Sequence, residues 1–442
     1  MEKFSRKNWF LLLLFGTIGQ IAWSVENMFF SAFVYDAVAP SLDTVTLMTQ
    51  LSGIAAAVVT LIAGTLSDKI GNRRSIISIG YIIWGVTVAL FGCLTPGNIH
   101  GVLGIPLVEA VSVALMLVVV GDCVMTFFGS AANDAAFNAW VTDNTKPSYR
   151  GQVESILSIL PLIALLIVAG GFGIIKDLVG YQNVFIGLGA IISLCGIAGI
   201  FLFKDAPTIK KSGSFKDIIY GFRPSVIKAH LPFYATLLSV AIFGITFQVF
   251  MPYLIIFMSK VLLFSDLEYS AVFAIAILAG AGVNIYLGKL SDRMSKSKLL
   301  YAASIITSAG LLGMYFASKI GSKIPLLIFF GVGGFVMICG NIFSSALNGA
   351  IMRDHTPDGA VGKMQGIRMV ASVLIPMIVG PAIGNAINKT SGQMLEGADA
   401  MTSAYLPAGE IFLAGGLIAL LALAVVPLIR KAEAKVGEKN NC

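Results

Sequence analysis

The chain has 442 residues, 57% of them hydrophobic and 12% charged, with a mean hydropathy of +0.88. Soluble domains carry about 25% charged residues, so this composition excludes a water-facing globular surface and makes lipid the main solvent. The net charge of +7 does not point to nucleic acid, because the basic residues sit in short loops between apolar runs and form no continuous patch.

A helix needs about 20 apolar residues to cross a bilayer. The first such run, near 9–35, is too long for the apolar part of a signal peptide and lacks a small-residue cleavage site, so it reads as span 1. Runs near 45–66, 75–94, 106–133, 152–175 and 183–203 follow as spans 2 to 6. A polar segment runs from Lys204 to His230, and runs near 231–258, 268–288, 299–318, 324–350, 364–388 and 406–429 make spans 7 to 12. They are too long, and too poor in period-two alternation, for the strands of a membrane barrel. The expected fold is therefore all-α, with domains at 1–203 and 231–442, a linker at 204–230 and a basic tail. Cys93, Cys123, Cys195 and Cys339 lie inside apolar runs without metal-ligand spacing and read as packed thiols.

Lys and Arg set the orientation. With the N-terminus inside, 25 of the 30 fall on the inner side, and only Lys176, Lys260, Lys319, Lys323 and Lys389 fall outside. Both termini are thus expected in the cytoplasm of a multi-pass protein of the cell (inner) membrane. The linker lysines Lys210, Lys211 and Lys216 suit a surface of anionic lipid.

The two halves repeat. Loop 2–3 carries Gly64, Leu66, Ser67, Asp68, Lys69, Gly71, Arg73 and Arg74, and loop 8–9 carries Gly288, Leu290, Ser291, Asp292 and Arg293 in the same register. In loop 4–5, Asn138 leads to Asp143, Pro147, Arg150 and Gln152; in loop 10–11, Asn348 leads to Asp354, Pro357, Lys363 and Gln365. These matched segments indicate an internal duplication. They resemble the major facilitator superfamily, whose signature lies in loop 2–3; this chain departs from the pattern at Lys69, Asn72 and Ser295. The resemblance implies twelve transmembrane helices in two pseudo-symmetric six-helix bundles, with spans 1, 4, 7 and 10 lining a central solute path near the midplane. The motif has its own physics. Gly64 and Gly71 allow close approach and a tight turn, while Asp68 can pair with Arg73 or Arg74 as a latch. The second copy, Asp292 and Arg293, is the weaker gate element. The plainer alternative is that the arginines only obey the positive-inside rule.

A carboxylate at mid-membrane costs roughly 2.5–3.5 kcal/mol on insertion scales. Glu26 in span 1 and Asp122 in span 4 both fall within about 6 Å of the midplane at 1.5 Å per residue. Trp23, Glu26 and Phe30 share one α-helical face, as do Asp122, Thr126, Ser130 and Asn133; Asp134 falls off that face and reads as a gate or loop anchor. Span 10 carries Asn341, Ser345 and Asn348, and span 7 offers Gln248 and Tyr253. Glu26 and Asp122 read as the coupling-ion pair, for H+ or for Na+ held with Asn oxygens. Trp23, Asn133, Gln248 and Asn341 read as solute or cation contacts. The alternative is that the acids and amides only anchor helices to one another. Arg368 reads as a snorkelling loop residue, and Glu109 and Glu410 as solvated.

Within the superfamily, drug antiporters carry an arginine in span 4 and a Gly-Pro motif in span 5. Here span 4 has no arginine, span 5 has Gly170, Gly171 and Gly173 without the proline, and a Gly380-Pro381 run lies in span 11. The acids of spans 1 and 4, with Asp143, Pro147, Arg150 and Gly151, are similar to the glycoside–pentoside–hexuronide:cation symporter branch. That implies cation-driven symport of a sugar or glycoside by a monomer whose partners are a small solute and the bilayer, with no cofactor beyond the ion. Another small solute (an organic anion, peptide or drug) is the alternative within transporters, and a non-transporting receptor or scaffold the alternative outside them. No enzyme motif occurs: there is no His-Glu-x-x-His, nucleophile elbow or phosphate loop, and His100, His230 and His355 lie in loops or at span edges.

Overall fold

The computed structural model describes residues 5–145, 150–205, 219–291, 294–356, 361–395 and 404–440. Asp292 and Arg293, Pro147 and Pro357, and Lys210, Lys211 and Lys216 lie outside the described residues, as does the side chain of Asp68.

Among the described residues the protein is helical, with one isolated bridge between Met394 and Tyr405. Eleven helices are long and apolar enough to cross a membrane. Spans 1 to 4 are Arg6–Val38, Leu42–Ser67, Arg73–Phe91 and Leu107–Asn144; spans 7 to 12 are Leu231–Val261, Asp266–Asn284, Lys296–Ala317, Lys323–Asp354, Met364–Ser391 and Glu410–Ala432. The remaining helix, Ile159–Leu202, has 44 residues, about 66 Å at 1.5 Å per residue, or twice a hydrocarbon core. Gly180 interrupts it at φ 81°, ψ 158°, a backbone region that only glycine enters without strain. Phe172 and Phe185, on either side of Gly180, have ring centroids 5.8 Å apart. The two limbs therefore run back along each other as spans 5 and 6, and the spans number twelve. Large apolar side chains face outward: Leu47, Leu51, Ile54, Val58 and Ile62 form one exposed stripe along span 2. Hydrocarbon solvates such a stripe at no cost, and water would not.

The chain divides into two compact units, Met1–Phe215 with Gly397–Ala404, and Lys216–Glu396 with Tyr405–Cys442. Each carries six spans. At the linker's far end Tyr220–Phe222 and Pro224–Ala229 form helical turns. Val226 anchors them in a core with Phe233, Leu237, Met352, Met364 and Ala371 of the second unit.

The repeat seen in the sequence has a structural counterpart. In the first unit Arg73, opening span 3, pairs with Asp143 at the end of span 4 (3.1 Å) and donates to the Ser67 hydroxyl (2.6 Å). In the second, Lys296, opening span 9, pairs with Asp354 at the end of span 10 (2.6 Å). Arg74 turns elsewhere, its guanidinium to the Ile200 carbonyl and its backbone N–H to Asp205. The signature loop is thus tied to the ends of spans 4 and 6 within its own unit.

Span 7 is broken. Its α-helix ends at Gln248, and Met251–Tyr253, containing Pro252, forms a 3-10 turn. Span 11 reaches the break through Gly380 and Gly384: a Cβ at Gly380 would lie 2.5 Å from Gln248 Cβ, and one at Gly384 would strike the Val249 carbonyl. Tyr253, fully buried, donates its hydroxyl to the Pro381 carbonyl (2.9 Å) and so fastens the break. The Gly-Pro run of span 11 is thereby a packing device. Gly384→Val should lower the thermal midpoint by an amount equivalent to about 1–3 kcal/mol or more, since the opposing atom is backbone and cannot give way. Gly282→Ala, where nothing lies within 4 Å, should be silent in the same melt.

Candidate functional site

Span 1 changes winding at Glu26, and span 4 changes winding eight residues beyond Asp122. Span 1 is α-helical over Arg6–Val25 and π-helical over Glu26–Phe30. Span 4 is α-helical over Leu107–Gly129 and π-helical over Ser130–Phe137. A π turn bonds i to i+5 and holds an extra residue; such turns are rare and occur often at functional sites. The extra residue re-aims the side chains beyond it. Phe30, in the same π segment as Glu26, is buried and stacks on Phe91 at 4.2 Å.

Glu26 meets span 2 and span 4 through one carboxylate oxygen. Its Oε1 lies 3.2 Å from Ser52 Oγ and 3.1 Å from Thr126 Oγ1, and these hydroxyls are 2.8 Å from each other. Three short contacts share two hydroxyl protons, so one contact is unbonded at any moment. Asp122, one turn from Thr126 and only 2% exposed, faces the same Ser52 hydroxyl and lies in the electrostatic field of Glu26. Glu26 Oε2 and Asp122 Oδ1 are enclosed and have no hydrogen-bond partner. Unpaired buried carboxylate oxygens are expensive.

Asn133, which the sequence reads as a solute or cation contact, is held by its neighbours. It is buried; its Oδ1 accepts from Tyr81 (2.8 Å) and its amide donates to Asp134 Oδ1 (3.1 Å). Gly19 makes room for this, since a Cβ there would collide with Asn133 Oδ1. Trp23 is half-buried with its ring 5.1 Å from that of Trp84. Its indole nitrogen lies beside Asp134 without closing a hydrogen bond.

Gln248 and Asn341 belong to the second unit, where they line a cavity of about 320 Å³ with Ser345, Asn348, Phe243 and Phe247. The break in span 7 leaves Gln248 at a helix end, and the stripe of span 10 supplies the amides and hydroxyl. Asn348 Oδ1 is buried without a partner. Ser372 of span 11 also lines this space, and its hydroxyl donates to the carbonyl of half-buried Arg368 (2.8 Å). Glu109 is exposed, whereas Glu410 pairs with Lys319 (2.8 Å) and so is more than solvated; that contact raises the Lys319 pKa above the usual lysine value.

Of the expected site residues, the structure thus brings Glu26, Asp122, Trp23 and Asn133 into one polar column of the first unit, and Gln248 and Asn341 into one cavity of the second. Ser52, which joins the two acids, carried no signal in the sequence: it is one hydroxyl among many in apolar spans. Among the described residues no group of three His, Cys, Asp or Glu is arranged to hold a metal ion.

The sequence profile of the Major Facilitator Superfamily matches residues 12–349. A crystal structure of the nucleoside transporter NupG, a single-site mutant, has a TM-score of 0.70 at 10% identity and covers 95% of this chain and 99% of its own. A bacterial homologue of the human lysosomal transporter Spinster, in an inward-facing and unoccupied conformation, has a TM-score of 0.69 at 15% identity, covering 98% of each chain. No curated relative matches the sequence. At these identities the likeness is one of fold.

Proposed function

The chain belongs to the major facilitator superfamily, a family of membrane transporters and not of enzymes, and from that premise we propose that it is a secondary active transporter working by alternating access, which couples a cation to symport of a small ring-bearing polyol. The observation that carries the coupling is the Glu26–Asp122 pair, buried mid-span with one unpartnered oxygen on each carboxylate. The cavity of the second unit supports the solute class. It pairs amides with two phenyl rings (Gln248, Asn341 and Asn348 beside Phe243 and Phe247) in about 320 Å³, the lower end of the range for ligand pockets. Amides bond hydroxyls and rings cover an apolar sugar face. A sugar or glycoside fits this chemistry, and so does a nucleoside, the solute in the name of one structural neighbour. Both termini are assigned to the cytoplasm, on the distribution of Lys and Arg.

The test is uptake into proteoliposomes of radiolabelled methyl glycosides, monosaccharides and uridine, under separate proton and sodium gradients. Accumulation of one class driven by one gradient supports the proposal; accumulation of none under either gradient removes it. For a solute that is taken up, Asn341→Leu should raise KM about 10-fold or more, since an unpaired solute hydroxyl costs about 1–3 kcal/mol. An unchanged KM would take Asn341 out of the site.

A further inference from the structure

The acid left over from the ion pair is Asp134. On span 4, Asp122, Thr126, Ser130, Asp134 and Asn138 recur every four residues, a step of about 6 Å. On a plain α-helix this series would drift around the axis, which is why Asp134 reads from the sequence as lying off the polar face. The π-helical segment Ser130–Phe137 takes one more residue per turn and returns Asp134 toward the column.

The groups around Asp134 come from three spans. Asn133 donates to it at 3.1 Å; Ser130 of the same helix and Trp23 of span 1 lie beside it; Glu26 of span 1 and Tyr81 of span 3 lie within its electrostatic field. Ser130 Oγ and Trp23 Nε1 are enclosed and unpartnered, as are Glu26 Oε2 and Asp122 Oδ1. Four unpaired polar atoms thus follow one column. Ser130 is wholly buried, so its unpaired hydroxyl is aimed into the protein and not into solvent. Exposure then rises along span 4: Asp122 and Ser130 are buried, Asp134 is partly exposed, and Asn138 is exposed.

The geometry points to Asp134 as the relay through which a proton on the Glu26–Asp122 pair reaches water, with the Ser130 hydroxyl between them. At each hop one O–H bond breaks and one forms. The proton leaves a carboxyl oxygen of the pair. Water entering the column takes it and gives a proton to Ser130 Oγ, which releases its own hydroxyl proton to the Asp134 carboxylate, and that passes it to water at the Asn138 end. The path covers about 18 Å, the rise of the twelve residues from Asp122 to Asp134. It lies wholly within the first unit, apart from the cavity of the second. The inference rests on reading the pair as a proton site.

Infrared difference spectroscopy in lipid nanodiscs tests it without any solute. Bands of the protonated carboxyls are assigned with Glu26→Gln, Asp122→Asn and Asp134→Asn, and their exchange from hydrogen to deuterium is timed. In the unmodified protein the Asp134 band should exchange first. In Asp134→Asn the Glu26 and Asp122 bands should exchange at least tenfold more slowly, and Asp134→Glu should restore the rate. Unchanged exchange in Asp134→Asn, or an Asp134 band that exchanges no earlier than the others, overturns the relay. If Asp134→Asn does not fold, the order in the unmodified protein decides alone. A failed relay with accumulation still dependent on Glu26 and Asp122 leaves the proposed function standing, whereas accumulation that survives loss of both acids removes that function whatever the exchange rates.

Discussion

Glu26→Gln and Asp122→Asn should each convert concentrative uptake into mere equilibration. A one-unit pH gradient is worth about 1.36 kcal/mol per proton. With one proton per solute it therefore sustains about tenfold accumulation, and an uncoupled carrier sustains a ratio of about one. The amides keep the shape and hydrogen bonding of the acids but cannot exchange a proton, so the Ser52 and Thr126 contacts at 3.2 and 3.1 Å survive in kind. Solute counterflow, which needs no net ion movement, should therefore persist while gradient-driven accumulation falls to the equilibrium ratio. This split separates coupling from folding. If the acids only tie span 1 to spans 2 and 4, both measurements should decline together. If both variants accumulate normally, the pair has no part in coupling.

The second large effect concerns the first unit's charge clamp. Arg73 is buried, its side chain 5% exposed, while Asp143 is 27% exposed. Removing one partner of a buried pair leaves an uncompensated charge and typically costs about 3–5 kcal/mol. The Ser67 hydroxyl at 2.6 Å still solvates the guanidinium, so Asp143→Ala should fall near the lower end of that range. Arg73→Leu with Asp143→Ala should recover part of the loss, because the buried guanidinium is then gone as well. The related pair in the second unit behaves differently. Lys296 and Asp354 are 34% and 52% exposed, and a solvated pair is worth about 0–1 kcal/mol. Lys296→Ala should therefore barely move the thermal midpoint. Melting curves of the three variants in one detergent decide the matter: equal shifts in the two units would contradict the burial argument. The same topological position thus carries a structural clamp in one half and a weak surface contact in the other.

Much of the architecture was legible in the chain. Twelve apolar runs and the matched loops 2–3 and 8–9 follow from hydrophobic length and repetition, which are local and periodic. The buried acids were legible for the same reason, since a carboxylate inside an apolar run is conspicuous wherever it points. Orientation around the helix axis was less secure. Asp134 falls off the polar face by α-helical arithmetic, and the π segment Ser130–Phe137 changes that. Asn133, read as a solute or cation contact, is bonded to Tyr81 and Asp134, and Tyr253 to Pro381.

By itself, then, the sequence determined that this is a helical membrane protein of twelve spans with an internal repeat and two acids deep in its first half, because solvent preference and periodicity are carried by each segment alone. Only the tertiary structure decided what those acids meet. Ser52 joins them, Asp134 is turned toward the column, Arg73 takes Asp143, and Gly384 admits the broken turn of span 7. Each of these contacts joins residues distant in sequence, or depends on an extra residue in one helical turn, and neither leaves a mark on composition or spacing.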